Sequence, residues 1–177
     1  MAITKIQSES LNLADTYAFT GTVTGAGGVN TPAFAVHISS SQSLSDNTNT
    51  KVQFNTEIYD TDSAFDNSTN YRFTVPSGKA GKYFFNVNFY FQGVTQNDYK
   101  RFQIQYKKNG GDLSLPGSLH YARENYSNFM RADGKSSSII LDLSVSDYIE
   151  VFALQDNSSS STRNIEQAYF QGYKIIE

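Results

Sequence analysis

The chain has no cysteine, no tryptophan and only two histidines among its 177 residues. The absence of cysteine excludes disulfide bonds and thiolate chemistry. The formal net charge is −3 at pH 7, which argues against a nucleic-acid partner because nucleic-acid binders normally carry a basic patch. The first residues also lack an apolar run of the length that a signal peptide or a membrane anchor needs. We therefore expect no nucleic acid, no membrane insertion and synthesis in a cytoplasm without an export signal.

Aromatic residues, by contrast, make up 14% of the chain. They are densest in the stretch KYFFNVNFYF (82–91). A chain of this length forms one domain, and folding buries roughly 70% of its surface, which is enough for a proper core. Two explanations fit the aromatic stretch: a site that stacks flat ligands, and a strand that is buried on both sides.

Apolar and polar residues alternate with a period of two along most of the chain, which is the signal of β-strands. The alternation is clear in 52–58, 101–107 and 139–145, and it places Ile58 and Val145 on core faces. No window shows the apolar stripe of a helix. Turn-rich segments separate the strands: 39–50, 60–70, 108–118 and 156–164. About eight to ten strands at this spacing predict an all-β sandwich or barrel.

Three strands carry apolar residues on both faces. The inward row of the first strand is Tyr83, Phe85, Val87, Phe89 and Phe91. An antiparallel sheet in a monomer keeps one face in water, so apolar residues on the second face predict a neighbouring subunit in preference to a ligand-stacking platform. The candidate residues for this subunit interface are Tyr90, Tyr148, Phe152, Tyr169, Tyr173 and Ile175.

Six segments of the chain follow one another in a recognisable order. They are FAV (34–36), VQF (52–54), YRFTVPSGKAGKYFFNV (71–87), KKNG (107–110), LDLSVSDYIEV (141–151) and YFQGYKII (169–176). The most specific motif comprises Phe73, Pro76, Gly81, Tyr83 and Phe85, and the closing motif comprises Phe170, Gly172 and Tyr173. Over about residues 32–177 this order resembles the globular head of complement C1q, whose fold is shared with the tumour necrosis factor superfamily.

The resemblance implies a ten-strand jelly-roll sandwich that associates as a compact homotrimer, with both chain ends at its base. The chain departs from the family where Ser146 precedes Asp147, since Gly-Asp is usual there. It also lacks a collagen stem of Gly-x-y triplets. The segment 111–136 is longer and richer in Arg, Tyr and Asn than the usual connection.

Residues 1–31 differ from the rest of the chain. The stretch ITKIQSESLNLADTYAFTGTVTGAGG (3–28) is similar to N-terminal segments of structural proteins of tailed bacteriophages, where they precede fibre or adhesin heads. It runs into GAGGVN, a Gly-rich hinge. We therefore predict an extended attachment arm at 1–31 and a head domain at 32–177. The resemblance implies a virion protein that is made in the host cytoplasm, and an arm that binds other virion proteins.

The segment 111–136 is the candidate for recognition. Loops on a rigid β scaffold commonly carry binding, and Tyr and Arg are enriched in binding hot spots. The candidate receptor-binding residues are His120, Tyr121, Arg123, Tyr126, Phe129 and Arg131, with a host-surface glycan or protein as the partner. The alternative is that these aromatic residues pack locally or against a neighbouring subunit.

Catalytic and metal-binding patterns are weak. The chain has two histidines, His37 and His120, but no G-x-S-x-G nucleophile elbow whose serine a histidine could activate. The aspartates of DTDSAFD (60–66) have the oxygen ligands that calcium prefers, but their spacing fails the EF-hand pattern, and Asx turns explain them. We therefore expect no enzyme activity, no cofactor and no required metal.

The sequence as a whole favours a bacteriophage virion structural protein with a trimeric head. Two subclasses stay open: the head of a short fibre or spike that binds the host surface, and a capsid decoration protein. The alternative from another class is a hydrolase or a binding adhesin for host-surface glycan.

Overall fold

The computed structural model describes residues 30–94, 99–113, 115, 119–122 and 130–175, with backbone alone at 92–94, 99, 119–122 and 130–133. In these residues the regular structure consists of thirteen strands, three of which have only two residues. The first are β1 (Ala33–His37), β2 (Gln42–Leu44), β3 (Thr50–Lys51), β4 (Thr56–Asp60), β5 (Phe65–Asp66) and β6 (Arg72–Thr74). The others are β7 (Gly81–Val94), β8 (Tyr99–Lys108), β9 (Gly111–Asp112), β10 (Leu119–Ala122), β11 (Met130–Leu143), β12 (Tyr148–Asn157) and β13 (Arg163–Lys174).

The strands form two antiparallel sheets that pack face to face. Sheet A has the order β11-β7-β13-β1-β4, and β2 also pairs with β13. Sheet B has the order β10-β8-β12-β6-β5, while β3 pairs with β12 and β9 with β8. Strands that are distant in sequence lie side by side, such as β1 and β13. The predicted all-β jelly-roll sandwich is confirmed, although the described residues form thirteen strands where the resemblance implied ten.

The core between the sheets consists largely of aromatic rings. The inward row of β7, which is Tyr83, Phe85, Val87, Phe89 and Phe91, is at most 2% exposed, as the alternation predicted. The Phe34 ring of β1 stacks on Phe65 and on Phe73, with ring centroids 5.1 Å apart in both pairs. It also meets Phe170 edge-on at 5.0 Å. Each of these rings comes from a different strand, so the aromatic cluster ties both sheets together.

Gly172 makes room for this cluster in the middle of sheet A. It lies opposite Phe34 on one neighbouring strand and Phe85 on the other. A Cβ atom at this position would lie 2.6 Å from Cδ1 of Phe85 and 2.9 Å from Cε1 of Phe34. The two rings therefore leave no room for a side chain at Gly172 of the closing motif.

The alternation misplaces Ile58 and Val145. Ile58 is 57% exposed because the segment 52–58 is not one strand: residues 52–55 are irregular, and the pairing of β1 with β4 shifts register between Ala35 and Val36. Val145 is 44% exposed because it lies in the turn that follows β11. Both residues come after a break in the strand, and a break resets which face a residue occupies.

The turn between β11 and β12 contains Ser146 and Asp147, the point where the sequence departs from the Gly-Asp of the resemblance. Ser146 has a φ angle of +70°, in the left-handed region that glycine adopts without steric cost. The Asp147 carboxylate accepts hydrogen bonds from Lys108 Nζ at 2.7 Å, from Asn109 Nδ2 at 2.7 Å and from Ser144 N at 2.8 Å. The hydrogen bonds from Lys108 and Asn109 lower the pKa of Asp147 to about 2.

The aspartates of 60–66 organise their own loop. Asp66 accepts hydrogen bonds from the backbone N–H groups of Thr69, Ser68 and Asn70 at 2.8, 3.0 and 3.1 Å. Asp60 accepts one from Phe65 N at 2.7 Å. The bonds from Thr69 and Ser68 hold the pKa of the Asp66 carboxyl well below its usual range. The Asx-turn interpretation is confirmed by these bonds.

Replacing Gly172 with alanine is expected to destabilise the head by about 1–3 kcal/mol, because the two rings must move out of low-energy positions. Gly134→Ala is the matched control, since a Cβ there has only Phe89 O nearby, at 3.9 Å. Chemical denaturation of both variants measures the difference. Equal free energies of unfolding for the two variants would show that the core tolerates the extra carbon.

Replacing Asp66 with alanine is expected to cost about 1 kcal/mol, as for the loss of a capping side chain. The lowered pKa of Asp66 gives a stabilisation that is present above the ordinary pKa of 3.8 and is lost as the pH falls below that value. The free energies of unfolding of wild type and variant therefore converge in acid. Asp112→Ala, which breaks an exposed pair with Lys107, is the control with a cost near zero.

EDTA should leave the melting temperature of the protein unchanged. A drop of several degrees would indicate a bound ion.

Candidate assembly interface

The six predicted interface residues lie on two different surfaces. Tyr90, Tyr169 and Tyr173 lie on the outer face of sheet A, because each alternates with buried residues of β7 or β13. Ile175 follows β13 at one rim of this face, where its N–H donates to the carbonyl of Lys82 at 2.8 Å. The other two, Tyr148 and Phe152, lie in β12 on the outer face of sheet B.

Cross-strand register arranges the outer side chains of sheet A in four rows, which we call the sheet A face. The first row contains Ile140, Phe84, Tyr173 and Ala33. The second contains Ser138, Asn86, Gln171, Ala35 and Tyr59. The third contains Ser136, Asn88, Tyr169 and His37, and the fourth contains Gly134, Tyr90 and Gln167. Strand and residue spacings give this face dimensions of roughly 20 Å by 20 Å.

Large apolar side chains are exposed mainly on this face. Four of the seven exposed large hydrophobic residues in the described part of the chain belong to its rows: Tyr59, Tyr90, Ile140 and Tyr173, which are between 39% and 58% exposed. The rings of Phe84 and Tyr173 are in contact, with centroids 5.4 Å apart. The sheet A face therefore has the composition of a surface that another molecule covers.

The sequence analysis missed Ile140 and Tyr59. Ile140 stands between Ile139 and Leu141, which are both buried. Since neighbours in a strand face opposite ways, the middle residue of an apolar triplet must face outward, and this signal could have found it. Tyr59 gave no such signal, because it joins the face only through the pairing of β4 with β1.

Two open grooves cross the sheet A face. One, of about 420 Å³, is lined by His37, Asn88, Tyr90, Gln167 and Tyr169 together with Ile38, Phe89 and Ala168. The other, of about 430 Å³, is lined by Phe84, Leu115, Ser138, Ile139 and Ile140. Burial raises the pKa of the Tyr169 hydroxyl, and the nearby Tyr59 adds to the shift. Neither of these linings contains Asp, Glu, Lys or Arg, so the grooves offer no carboxylate pair for acid–base catalysis.

The polar side chains of the face are already ordered within the chain. Asn88 Nδ2 donates to Asn86 Oδ1 at 2.8 Å. Asn86 Nδ2 in turn donates to the carbonyl of Ser137 at 3.2 Å and to Ser136 Oγ at 3.3 Å. These hydrogen bonds hold the amide groups in a fixed arrangement before any partner arrives.

The outer face of sheet B has a different character. The Phe152 ring lies 4.6 Å from Lys107 Nζ and 5.9 Å from Lys51 Nζ, and the Arg72 guanidinium lies 4.0 Å from the Tyr148 ring. Such cation–π contacts cover the rings within their own chain. Lys51 also forms an ion pair with the buried Glu150. The interface role of Tyr148 and Phe152 stays a prediction, on a surface separate from the sheet A face.

The candidate recognition segment 111–136 is described only in part. It begins in β9, and β10 places His120 opposite Ile104 and Tyr121 opposite Gln103 of β8. Arg131 belongs to β11. The side chains of His120, Tyr121 and Arg131, and the whole of Arg123, Tyr126 and Phe129, lie outside the described residues. Their role in recognition therefore stays a prediction.

Metal and membrane sites were also sought in the described residues. In this part of the chain no three His, Asp or Glu side chains gather in a way that could hold a metal ion. The same residues contain no helix that is long and apolar enough to cross a membrane.

The chain matches no protein-family model and no curated protein. Its structure is similar to solved structures. The PRD1 vertex protein P5 aligns with a TM-score of 0.58 and 15% identity, over 85% of this chain and 100% of that one. The globular domain of zebrafish complement 1qA protein aligns with a TM-score of 0.55 and 19% identity, over 82% of this chain and 98% of that one. Eiger TNF from S. frugiperda aligns with a TM-score of 0.55 and 12% identity, over 82% of this chain and 94% of that one.

These identities are low, so the likeness concerns the fold. The chain has the jelly-roll fold of complement C1q globular domains and tumour necrosis factors.

Proposed function

We propose that this protein is a structural protein of a virus particle whose head assembles as a homotrimer through the sheet A face. The observation that carries the proposal is the difference between the two outer faces. The rings of sheet B are covered by cations of the same chain, whereas Tyr59, Tyr90, Ile140 and Tyr173 of sheet A are exposed.

A second copy of the chain is the partner that suits this face. At roughly 20 Å by 20 Å, which is about 400 Å² in plan, it is much wider than a small-ligand site and amounts to about half of the roughly 800 Å² that one partner contributes to a standard protein interface. Its four rows contain no Asp, Glu, Lys or Arg. Identical copies can therefore approach one another without repulsion between like charges.

The positions of the chain ends support an attachment arm at one end of the head. Lys174 N donates to the carbonyl of Pro32 at 3.0 Å, so the chain enters and leaves at the same end. Lys79 Nζ also donates to Thr31 Oγ1 at 3.2 Å. The opposite end, where β12 ends and β13 begins, is distant from these contacts. We infer that residues 1–31 bind other virion proteins and that the opposite end is presented to a host surface.

The location on a virus particle is supported by two likenesses. A protein described as a vertex protein aligns over its whole length with 85% of this chain. The arm resembles segments that precede the heads of phage fibres and adhesins. A short fibre or spike head and a capsid decoration protein are both compatible with these likenesses.

The glycan hydrolase is the less supported alternative. Most glycoside hydrolases need two carboxyl groups that flank the scissile bond. The two grooves of the sheet A face have no carboxylate in their linings. A third groove contains Asp62 and Asp66, but Asp62 forms an ion pair with Lys79 and Asp66 caps its own loop. A glycan-binding adhesin without catalysis remains compatible with the proposed trimer.

Replacing Tyr173 with aspartate is expected to dissociate the trimer, because the variant would bury an unpaired charge at a cost of several kcal/mol. Light scattering should give about 59 kDa for the wild type, three times the 19.7 kDa of one chain, and the monomer mass for the variant. Val145→Asp adds the same charge at a similarly exposed position outside the sheet A face. This control should stay trimeric. A wild-type monomer at micromolar concentration, or dissociation of both variants, would contradict the proposed interface.

Deleting residues 1–29 is expected to leave a folded trimer that no longer enters virus particles. The deletion retains Thr31 and Pro32, whose contacts with Lys79 and Lys174 belong to the head. Melting curves and light scattering test the head, and the protein content of purified particles tests incorporation. Incorporation of the shortened protein at wild-type levels would show that the head itself holds the attachment site.

A further inference from the structure

The sheet A face is divided into two apolar patches and a polar belt. The base patch consists of Ile140, Phe84 and Tyr173 in the first row. The tyrosine patch crosses the face diagonally through Tyr90, Tyr169 and Tyr59. Between them lies the amide belt, which consists of Ser138, Asn86, Gln171, Ser136 and Asn88.

We propose that the amide belt determines which chains assemble on the sheet A face, and in which register, so that only another copy of this chain is accepted. The inference rests on the proposed trimer and goes beyond it, since apolar patches alone would explain association with many partners. A belt of polar groups between two apolar patches restricts both the position and the identity of the partner.

The chemistry of amides explains why the partner would be a copy. Each Asn or Gln side chain offers two N–H donors and an acceptor oxygen with two lone pairs. The bond from Asn88 to Asn86, and those from Asn86 to Ser136 and Ser137, use only part of this capacity. An amide can pair with another amide, whereas two carboxylates or two ammonium groups would repel each other. Equivalent residues of a trimer meet one another only around the three-fold axis. In this arrangement the belt lies at that axis, where the amides of the three copies satisfy one another.

Burial makes this pairing obligatory. A polar group that loses water without gaining a hydrogen bond destabilises the complex, so a shift of the two copies that leaves the amides opposite rings is disfavoured. Single buried polar residues fix register and oligomer state in the same way in coiled coils, at some cost in stability. The internal bonds of the belt hold Asn86 and Asn88 in one arrangement, which sharpens this selection.

The charges of sheet A lie at the rim of the face. Asp142 and Lys82 are opposite each other beyond the first row, at the end where Ile175 follows β13. Assembly through the face should consequently depend little on salt, since exposed ion pairs are the contacts that salt weakens.

The test is the double replacement Asn86→Val and Asn88→Val in the full-length chain. Valine keeps the strand and removes the amides, and neither residue faces the core. Asn164→Val in β13 is the control, because it removes an amide of the same sheet outside the belt. Circular dichroism verifies the fold, and native mass spectrometry measures stoichiometry in ~0.05 M and ~1 M salt.

We expect wild type and Asn164→Val to give one trimeric species at both salt concentrations. The belt variant should remain associated through the two patches but distribute over several stoichiometries. When wild-type and variant chains are refolded together, mixed trimers should be at least about tenfold below the statistical fraction, because unpaired amides exclude the mixed register.

The inference is overturned if the belt variant forms a single trimer that mixes statistically with wild type. It is also overturned if the variant becomes monomeric, since the belt would then supply affinity and not selection. Loss of the wild-type trimer in ~1 M salt would contradict the neutral interface. A wild-type protein that is monomeric under all conditions would overturn the proposed function itself, and this outcome differs from every failure that concerns the belt alone.

Discussion

The contact of two aromatic rings with the bare backbone of Gly172 is the constraint on which this head depends. Phe34 and Phe85 occupy the space that a side chain at this position would need. They bring β1, β13 and β7 together as neighbours in one sheet, and Phe34 continues the packing to Phe65 and Phe73 of the other sheet. Because protein interiors are close-packed, the small residue and the large rings must occur together, which explains why the closing motif contains a glycine.

Filling the core in this way determines what is left for the surface. When the odd-numbered aromatic residues of β7 face inward, Phe84 and Tyr90 must face outward. The two sheets treat such outward rings differently. Sheet B places lysine and arginine over Phe152 and Tyr148, and sheet A surrounds Phe84 and Tyr173 with neutral amides and other rings. One face is thus completed within the chain, and the other is suited to completion by a second molecule.

Sequence reasoning worked where a strand was long and continuous. The core row of β7 was predicted because alternation over many residues has one interpretation, and the jelly-roll architecture was predicted from the resemblance to C1q heads. Reasoning failed at Ile58 and Val145, since an irregular segment, a register shift and a turn interrupt the alternation there. The sequence could not show that Tyr148 and Phe152 lie in sheet B, apart from the tyrosines of sheet A, and their interface role stays a prediction. A two-sided apolar pattern shows that a strand is covered, but it does not show what covers it.

By itself, the sequence determined the fold class, the inward residues of the long strands and the absence of thiol chemistry, because these follow from residue type and local period. The tertiary structure alone decided which outward residues meet. Tyr59 of β4, Tyr169 of β13 and Tyr90 of β7 are far apart in the chain and form one patch only through the order β7-β13-β1-β4. The covering of Phe152 by Lys107 likewise depends on the pairing of β12 with β8. Strand order depends on the packing of the whole core, so no local pattern in the sequence contains it.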